Sequence, residues 1–225
     1  MFNYCPNCGE KNGGWKFCPN CGTNLDREID GANAQNRDAL AIFEYEEHDD
    51  GTVTITDLRD TTISAIDIPD NVTAIAENAF LNCKNVKSVR VGKNVSSIGV
   101  YAFKGCSSLT SIRLTNTVSA IGTWAFEGCN ALRSVTIAST DHDHSPEKDY
   151  ASSSSAIAPG GGSSIGMAAF VECKSLKNVT IPNGITSIGQ HAFFGCSALK
   201  SITIPNGVTF IGTNAFPPDC KIIRK

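Results

Sequence analysis

Residues 174–196 read KSLKNVTIPNGITSIGQHAFFGC, and most of the chain is built from copies of this stretch. Residues 84–106 (KNVKSVRVGKNVSSIGVYAFKGC) and 107–129 (SSLTSIRLTNTVSAIGTWAFEGC) repeat it without a gap. Outer copies cover 61–83 and 197–220, and 130–173 is a copy with an insertion, which makes six. The repeat cysteines Cys83, Cys106, Cys129, Cys173, Cys196 and Cys220 follow one another at 23, 23, 44, 23 and 24 residues. A fixed period in this range marks a solenoid, because one such repeat cannot bury its apolar face alone and stacking supplies a shared core.

Alternation within 107–129 gives the facing of each residue. Leu109, Ile112 and Leu114 point inward, while Ser111, Arg113 and Thr115 point outward. Val118 and Ile121 open a second extended piece, Gly122 permits a tight turn, and Ala125-Phe126 leads to Cys129. Phe80, Phe103, Phe126, Phe170, Phe193 and Phe216 fall in one column. Stacked parallel strands would bring each phenylalanine against the next at about 4.7–4.9 Å. The repeat cysteines read as small buried residues, with metal ligation or thiol chemistry as the alternatives.

The pattern L-x-x-I-x-I-P-x-x-V-x-x-I-G-x-x-A-F-x-G-C is clearest at 176–196 and 199–216. It resembles the BspA-like class of leucine-rich repeats, also called the Treponema pallidum type, over about residues 51–225. That resemblance implies a mainly β leucine-rich-repeat solenoid, with a curved parallel sheet and short helical turns, that binds protein partners. Gly92, Thr115 and Ala138 stand where the pattern has proline, and Ala76 where it has glycine. Members of the class are often secreted adhesins. The N-terminal MFNYCPNCGEKN has neither a charged lead nor an apolar core, so the expected location is cytoplasmic, and a surface adhesin is an alternative.

Ahead of the repeats, residues 4–22 read YCPNCGEKNGGWKFCPNCG. Cys5 and Cys8, then Cys18 and Cys21, form two near-identical turns, each aiming two sulfurs at one ion. Four thiolates favour one tetrahedral Zn2+, whose binding would supply about 10–16 kcal/mol toward folding so short a module. With every position filled by protein sulfur, the ion would be structural. A rubredoxin-type iron site and a redox dithiol pair are the competing readings. The stretch resembles a zinc ribbon, placed at 1–25, followed by a polar linker at 26–38. Lys11 and Lys16 face only Glu10 nearby, so nucleic-acid binding by the ribbon is a secondary expectation.

Residues 39–60 read as a capping hairpin. Phe43 and Tyr45 alternate with polar residues, Asp49-Asp50-Gly51 turns the chain, and Val53 and Ile55 alternate again. The repeats then run over 61–225, with an insertion at about 139–163. That insertion is rich in Ser, Gly and charge and reads as a mobile loop, with a weak metal-binding reading for His142 and His144. At the far end, 221–225 (KIIRK) begins a seventh strand, which makes an end-to-end dimer an expectation.

Charge is unevenly spread. Residues 26–50 carry 9 acids against 2 bases, whereas 51–225 carry 15 bases against 12 acids, within a net charge of −3. This is not the profile of a basic nucleic-acid-binding domain. No apolar run reaches the length of a membrane span. No nucleophile–base pair, phosphate loop or open metal position is apparent, so the chain is not expected to be an enzyme.

Two outward columns are candidates for recognition. On the strands, Arg90 and Arg113 lie one repeat apart and could clamp a carboxylate-bearing partner. Surface Ser and Thr that merely suit a strand are the competing reading. Before each Ala-Phe come Tyr101, Trp124 and His191, which read either as a binding hot spot or as packing against the neighbouring coil. The function expected is a non-catalytic protein–protein interaction scaffold, with a zinc-ribbon nucleic-acid adaptor as an alternative.

Overall fold

The two extended pieces of each repeat become two short strands, and successive repeats lay them side by side. The computed structural model describes residues 39–138, 163–181 and 184–224. The chain divides into two units, Met1–Ala41 and Ile42–Lys225. The four ribbon cysteines, the linker 26–38 and residues 139–162 of the insertion lie outside the described residues.

The strands of the second unit begin with β1 (Phe43–Glu47), β2 (Val53–Leu58), β3 (Ala65–Asp67), β4 (Val72–Ile75) and β5 (Ser88–Arg90). Next come β6 (Ser97–Ile98), β7 (Ser111–Thr115), β8 (Ala120–Ile121), β9 (Ser134–Ala138) and β10 (Ser164–Ile165). The last are β11 (Asn178–Val179), β12 (Ser187–Ile188), β13 (Ser201–Ile204), β14 (Phe210–Ile211) and β15 (Lys221–Arg224). They form an eight-stranded sheet ordered β1-β2-β4-β6-β8-β10-β12-β14 and a five-stranded sheet ordered β3-β5-β7-β9-β11. A bridge from Thr180 to Thr203 carries the second sheet on toward the pair β13-β15. All pairings are parallel except the β1–β2 hairpin.

Register keeps like residues together. Ile75, Ile98, Ile121, Ile165, Ile188 and Ile211 are successive partners in the first sheet. Ile66, Val89, Ile112 and Val135 are partners in the second. A slip of one residue would turn every one of these side chains to solvent, so the apolar face specifies the pairing. The coil that contains the insertion stacks as though nothing had been added, with Ile165 paired to Ile121.

The third side carries the phenylalanines. Phe80, Phe103, Phe126, Phe170, Phe193 and Phe216 stack nearly parallel, with successive centroids 4.7, 5.1, 4.8, 5.1 and 5.5 Å apart. That step matches the spacing of hydrogen-bonded strands, about 4.7–4.9 Å. Phe43 of the hairpin meets Phe80 edge-on at 6.1 Å and closes the first end of the column. Each phenylalanine buries well over 100 Å² by the usual size of the side chain, and parallel ring contacts add roughly 0.5–1.5 kcal/mol per pair.

The expected helical turns on this side are absent. Amides that a helix would bond four residues back donate instead to the next coil. The Phe103 amide reaches the Ala125 carbonyl at 2.7 Å and the Phe126 amide reaches Ala169 at 2.7 Å. What remains within a coil is isolated three-residue turns, such as Lys104 to Tyr101 at 3.0 Å. The third side is therefore laddered like the other two.

Glycine makes the approach possible. A Cβ on Gly122 would lie 2.6 Å from backbone atoms of Gly99 and Val100 in the preceding coil. Ala76 begins this column, and its amide bonds Ile55 of the hairpin at 2.8 Å, as the Gly99 amide bonds Ile75 at 2.8 Å. Gly128 has a different reason, since it sits at φ +71° with open space around it.

Five repeat cysteines are buried beneath the phenylalanines. The thiols of Cys106, Cys129, Cys173 and Cys196 each point 3.1 Å from the carbonyl of the phenylalanine one coil earlier. Burial pushes the Cys83 thiol up to about 11 and the Cys106 thiol to about 12, and holds Cys129 well above its ordinary value. Protonated buried thiols are poor nucleophiles and poor metal ligands, so they act as packing groups with one weak donor.

Two outcomes follow for stability. Gly122→Ala should lower it by more than about 3 kcal/mol because two backbones must part, whereas Gly128→Ala should cost about 1–2 kcal/mol for its left-handed conformation alone. Urea unfolding of both variants against wild type measures the difference. Because the thiols bind protons more tightly folded than unfolded, their contribution is complete below their ordinary value of 9.0 and declines as pH rises toward about 11 to 12. Urea midpoints from neutral pH upward should fall across that window, with a shallower fall in Cys106→Ala/Cys129→Ala.

Candidate partner-binding surfaces

The outer face of the five-stranded sheet presents small and cationic residues. Ser88 and Ser111 are cross-strand partners, as are Arg90 and Arg113. With Ala65 and Asp67 they line an open groove of about 670 Å³. The two arginines do not form a symmetric clamp. Arg90 is ion-paired with Asp67 on the adjacent strand, with side chains 56% and 65% exposed. Such an exposed pair contributes about 0–1 kcal/mol and is readily exchanged for another carboxylate. Arg113 has no ion-pair partner among the described residues.

A second cationic row runs beside the first. The Thr110 amide donates to Lys87 at 2.8 Å, Arg133 to Thr110 at 2.9 Å, and Lys177 to Arg133 at 2.9 Å, so these residues stack coil upon coil. Lys87, Arg133 and Lys177 are exposed, and Lys200 holds the same place in the next repeat, also exposed. The sequence reading missed this row because each member lies one residue before the outward serine (asparagine in the case of Lys177), off the alternating pattern. Aligning the repeats by that serine would have revealed it.

On the third side, the residue before each Ala-Phe adopts a left-handed backbone in every coil. The φ values are +62° at Asn78, +57° at Tyr101, +52° at Trp124, +52° at Ala168, +56° at His191 and +53° at Asn214. Asparagine tolerates this region, but for bulky residues it is an outlier costing about 1–2 kcal/mol each. Packing of the coils does not call for aromatics here, since Asn and Ala serve in other copies. The asparagines at both ends of the column were the available signal.

The structure brings Tyr101 and Trp124 together as a half-exposed parallel stack, centroids 5.3 Å apart and planes 7° apart. The Lys104 ammonium lies 4.8 Å from the Tyr101 centroid and 2.8 Å from Glu127, and that hydrogen bond raises its pKa. His191 is not part of this stack. The coil bearing Ala168 separates it from Trp124, and its ring meets Phe194 edge-on at 5.4 Å. The two aromatic coils thus form one platform, and His191 with the exposed Phe194 forms another.

Among the described residues no group of three or more His, Cys, Asp or Glu is placed to hold a metal ion. Cys5, Cys8, Cys18 and Cys21, and His142 and His144, lie outside the described residues. No described helix is long and apolar enough to cross a membrane.

Comparison with known proteins agrees with this architecture. Residues 58–158 and 163–224 match the model of the BspA type leucine rich repeat region, in six copies. A leucine-rich repeat protein of T. pallidum is 24% identical, with 82% of this chain and 84% of that one covered and a TM-score of 0.58. A leucine-rich cell surface protein from Faecalibacterium prausnitzii is 30% identical over 79% of this chain, with a TM-score of 0.56. This chain spans 51% of that protein's length. Among curated proteins none matches. With its repeats, its parallel stacking and its residue pattern in agreement, the chain belongs to the family of BspA-type leucine-rich repeat proteins.

Proposed function

We propose that this chain is a non-catalytic scaffold that binds protein partners through the outer surface of its repeats. The observation that carries the reading is the Tyr101–Trp124 stack. Two large aromatics are held half-exposed on strained backbone that asparagine would occupy more easily. Every coil holds this position left-handed, so bulky aromatics placed where asparagine would sit at less cost point to use of the side chains.

Affinity capture from the native lysate tests it, comparing wild type with Tyr101→Ala/Trp124→Ala and Arg90→Ala/Arg113→Ala. At least one double variant should lose most of the captured set while keeping the wild-type melting temperature. An unchanged set in both would end the reading.

Display on a cell surface is a second reading, favoured by the 30% identity to the F. prausnitzii cell surface protein. Protease treatment of intact cells separates the two locations, since only a displayed chain is cut. For the N-terminal module, the paired spacing of Cys5, Cys8, Cys18 and Cys21 supports one structural Zn2+. Purified protein should carry one equivalent of zinc, lost in Cys5→Ser/Cys8→Ser. Elemental analysis finding iron, or no metal after refolding with zinc, would reject it.

A further inference from the structure

We propose that the outer face of the five-stranded sheet docks an acidic, extended protein segment that lies across the strands. The proposal rests on the scaffold reading and names the chemistry of its partner.

Cations outnumber carboxylates along this face. Arg90 and Arg113 form one cationic row, and Lys87, Arg133 and Lys177, followed by Lys200, form another. On the described strands of this sheet the single carboxylate is Asp67, held by Arg90, and just past its strand Asp70 is paired with Lys93 and lies within electrostatic reach of Arg90. No ion pair is formed by Lys87, Arg113, Arg133 or Lys177 among the described residues. Between the rows runs the line of Ser88, Ser111 and Ser134, whose small side chains let a main chain approach and whose hydroxyls can bond it.

Spacing fits a peptide. Coils are about 4.8 Å apart, so Lys87 and Arg133, two coils apart, stand about 10 Å from one another. Side chains of an extended chain alternate sides, so acids on its docked side recur at roughly 6.6 Å, between the single-coil steps from Arg90 to Arg113 and from Arg133 to Lys177 and the double step from Lys87 to Arg133. A single-stranded nucleic acid fits less well. The strands of this face carry no aromatic residue on which a base could stack.

The test is fluorescence anisotropy of labelled decaglutamate with the full 225-residue chain, against decalysine and oligothymidylate of equal length. Decaglutamate should bind at about 50 mM NaCl and weaken about tenfold by about 200 mM, as expected for exposed ion contacts. Arg113→Ser/Arg133→Ser should weaken it about three- to tenfold, and Asp67→Asn, which releases Arg90, should strengthen it about two- to threefold. Opposite effects from two surface changes cannot come from misfolding. Absence of binding at low salt, binding that neither variant alters, or tighter binding of oligothymidylate would each overturn the proposal. If decaglutamate fails while lysate capture still responds to the double variants, the acidic chemistry alone falls. If both fail, the scaffold reading falls with it.

Discussion

Coil lies on coil at backbone distance along the glycine corner, and the rest of the molecule follows from that approach. With no Cβ at Gly99, Gly122, Gly166 and Gly189, main-chain atoms of successive repeats come close enough for all three sides to hydrogen-bond between coils. The same distance is the one at which phenylalanine rings stack and at which a cysteine thiol reaches the carbonyl beneath it. One spacing thus satisfies backbone bonds, aromatic packing and buried thiols together. A repeat of different thickness would satisfy one and break the others.

This constraint divides the residues into two populations. Inward columns are nearly uniform, because each residue must match the coil above and below. Outward columns answer to no such neighbour and vary, from Ser to Arg on one side and from Asn to Trp on another. Recognition can therefore differ from coil to coil without altering the core. Where an outward residue is also conformationally costly, as at Tyr101 and Trp124, the variation has gone against the local backbone preference.

Much of the fold was legible in the sequence. The period, the inward alternation of Leu109, Ile112 and Leu114, and the phenylalanine column are all patterns of residue type, and residue type is what a sequence displays. Hydrogen-bond direction is not. The short helical turns were implied by the family resemblance alone, and no residue type at the Ala-Phe corners shows that their amides bond across coils. The left-handed column was hidden for a related reason, since Tyr, Trp and His give no warning of a positive φ. Of the candidate site, Arg90 and Arg113 were found by alternation, but the ion pair of Arg90 with Asp67 emerged only from the geometry. The row through Lys87 and Arg133 lies out of phase with the alternation and was passed over.

Strands β8 and β10 are separated by many more residues than other consecutive partners, and they pair in unbroken register all the same. Chain length at that corner is therefore decoupled from the architecture on either side. Such a site lets evolution, or an engineer, splice in a reporter or an entire folded cargo while the neighbouring rungs keep their alignment. A solenoid with one corner of unfixed chain length is in effect a rack with an open slot.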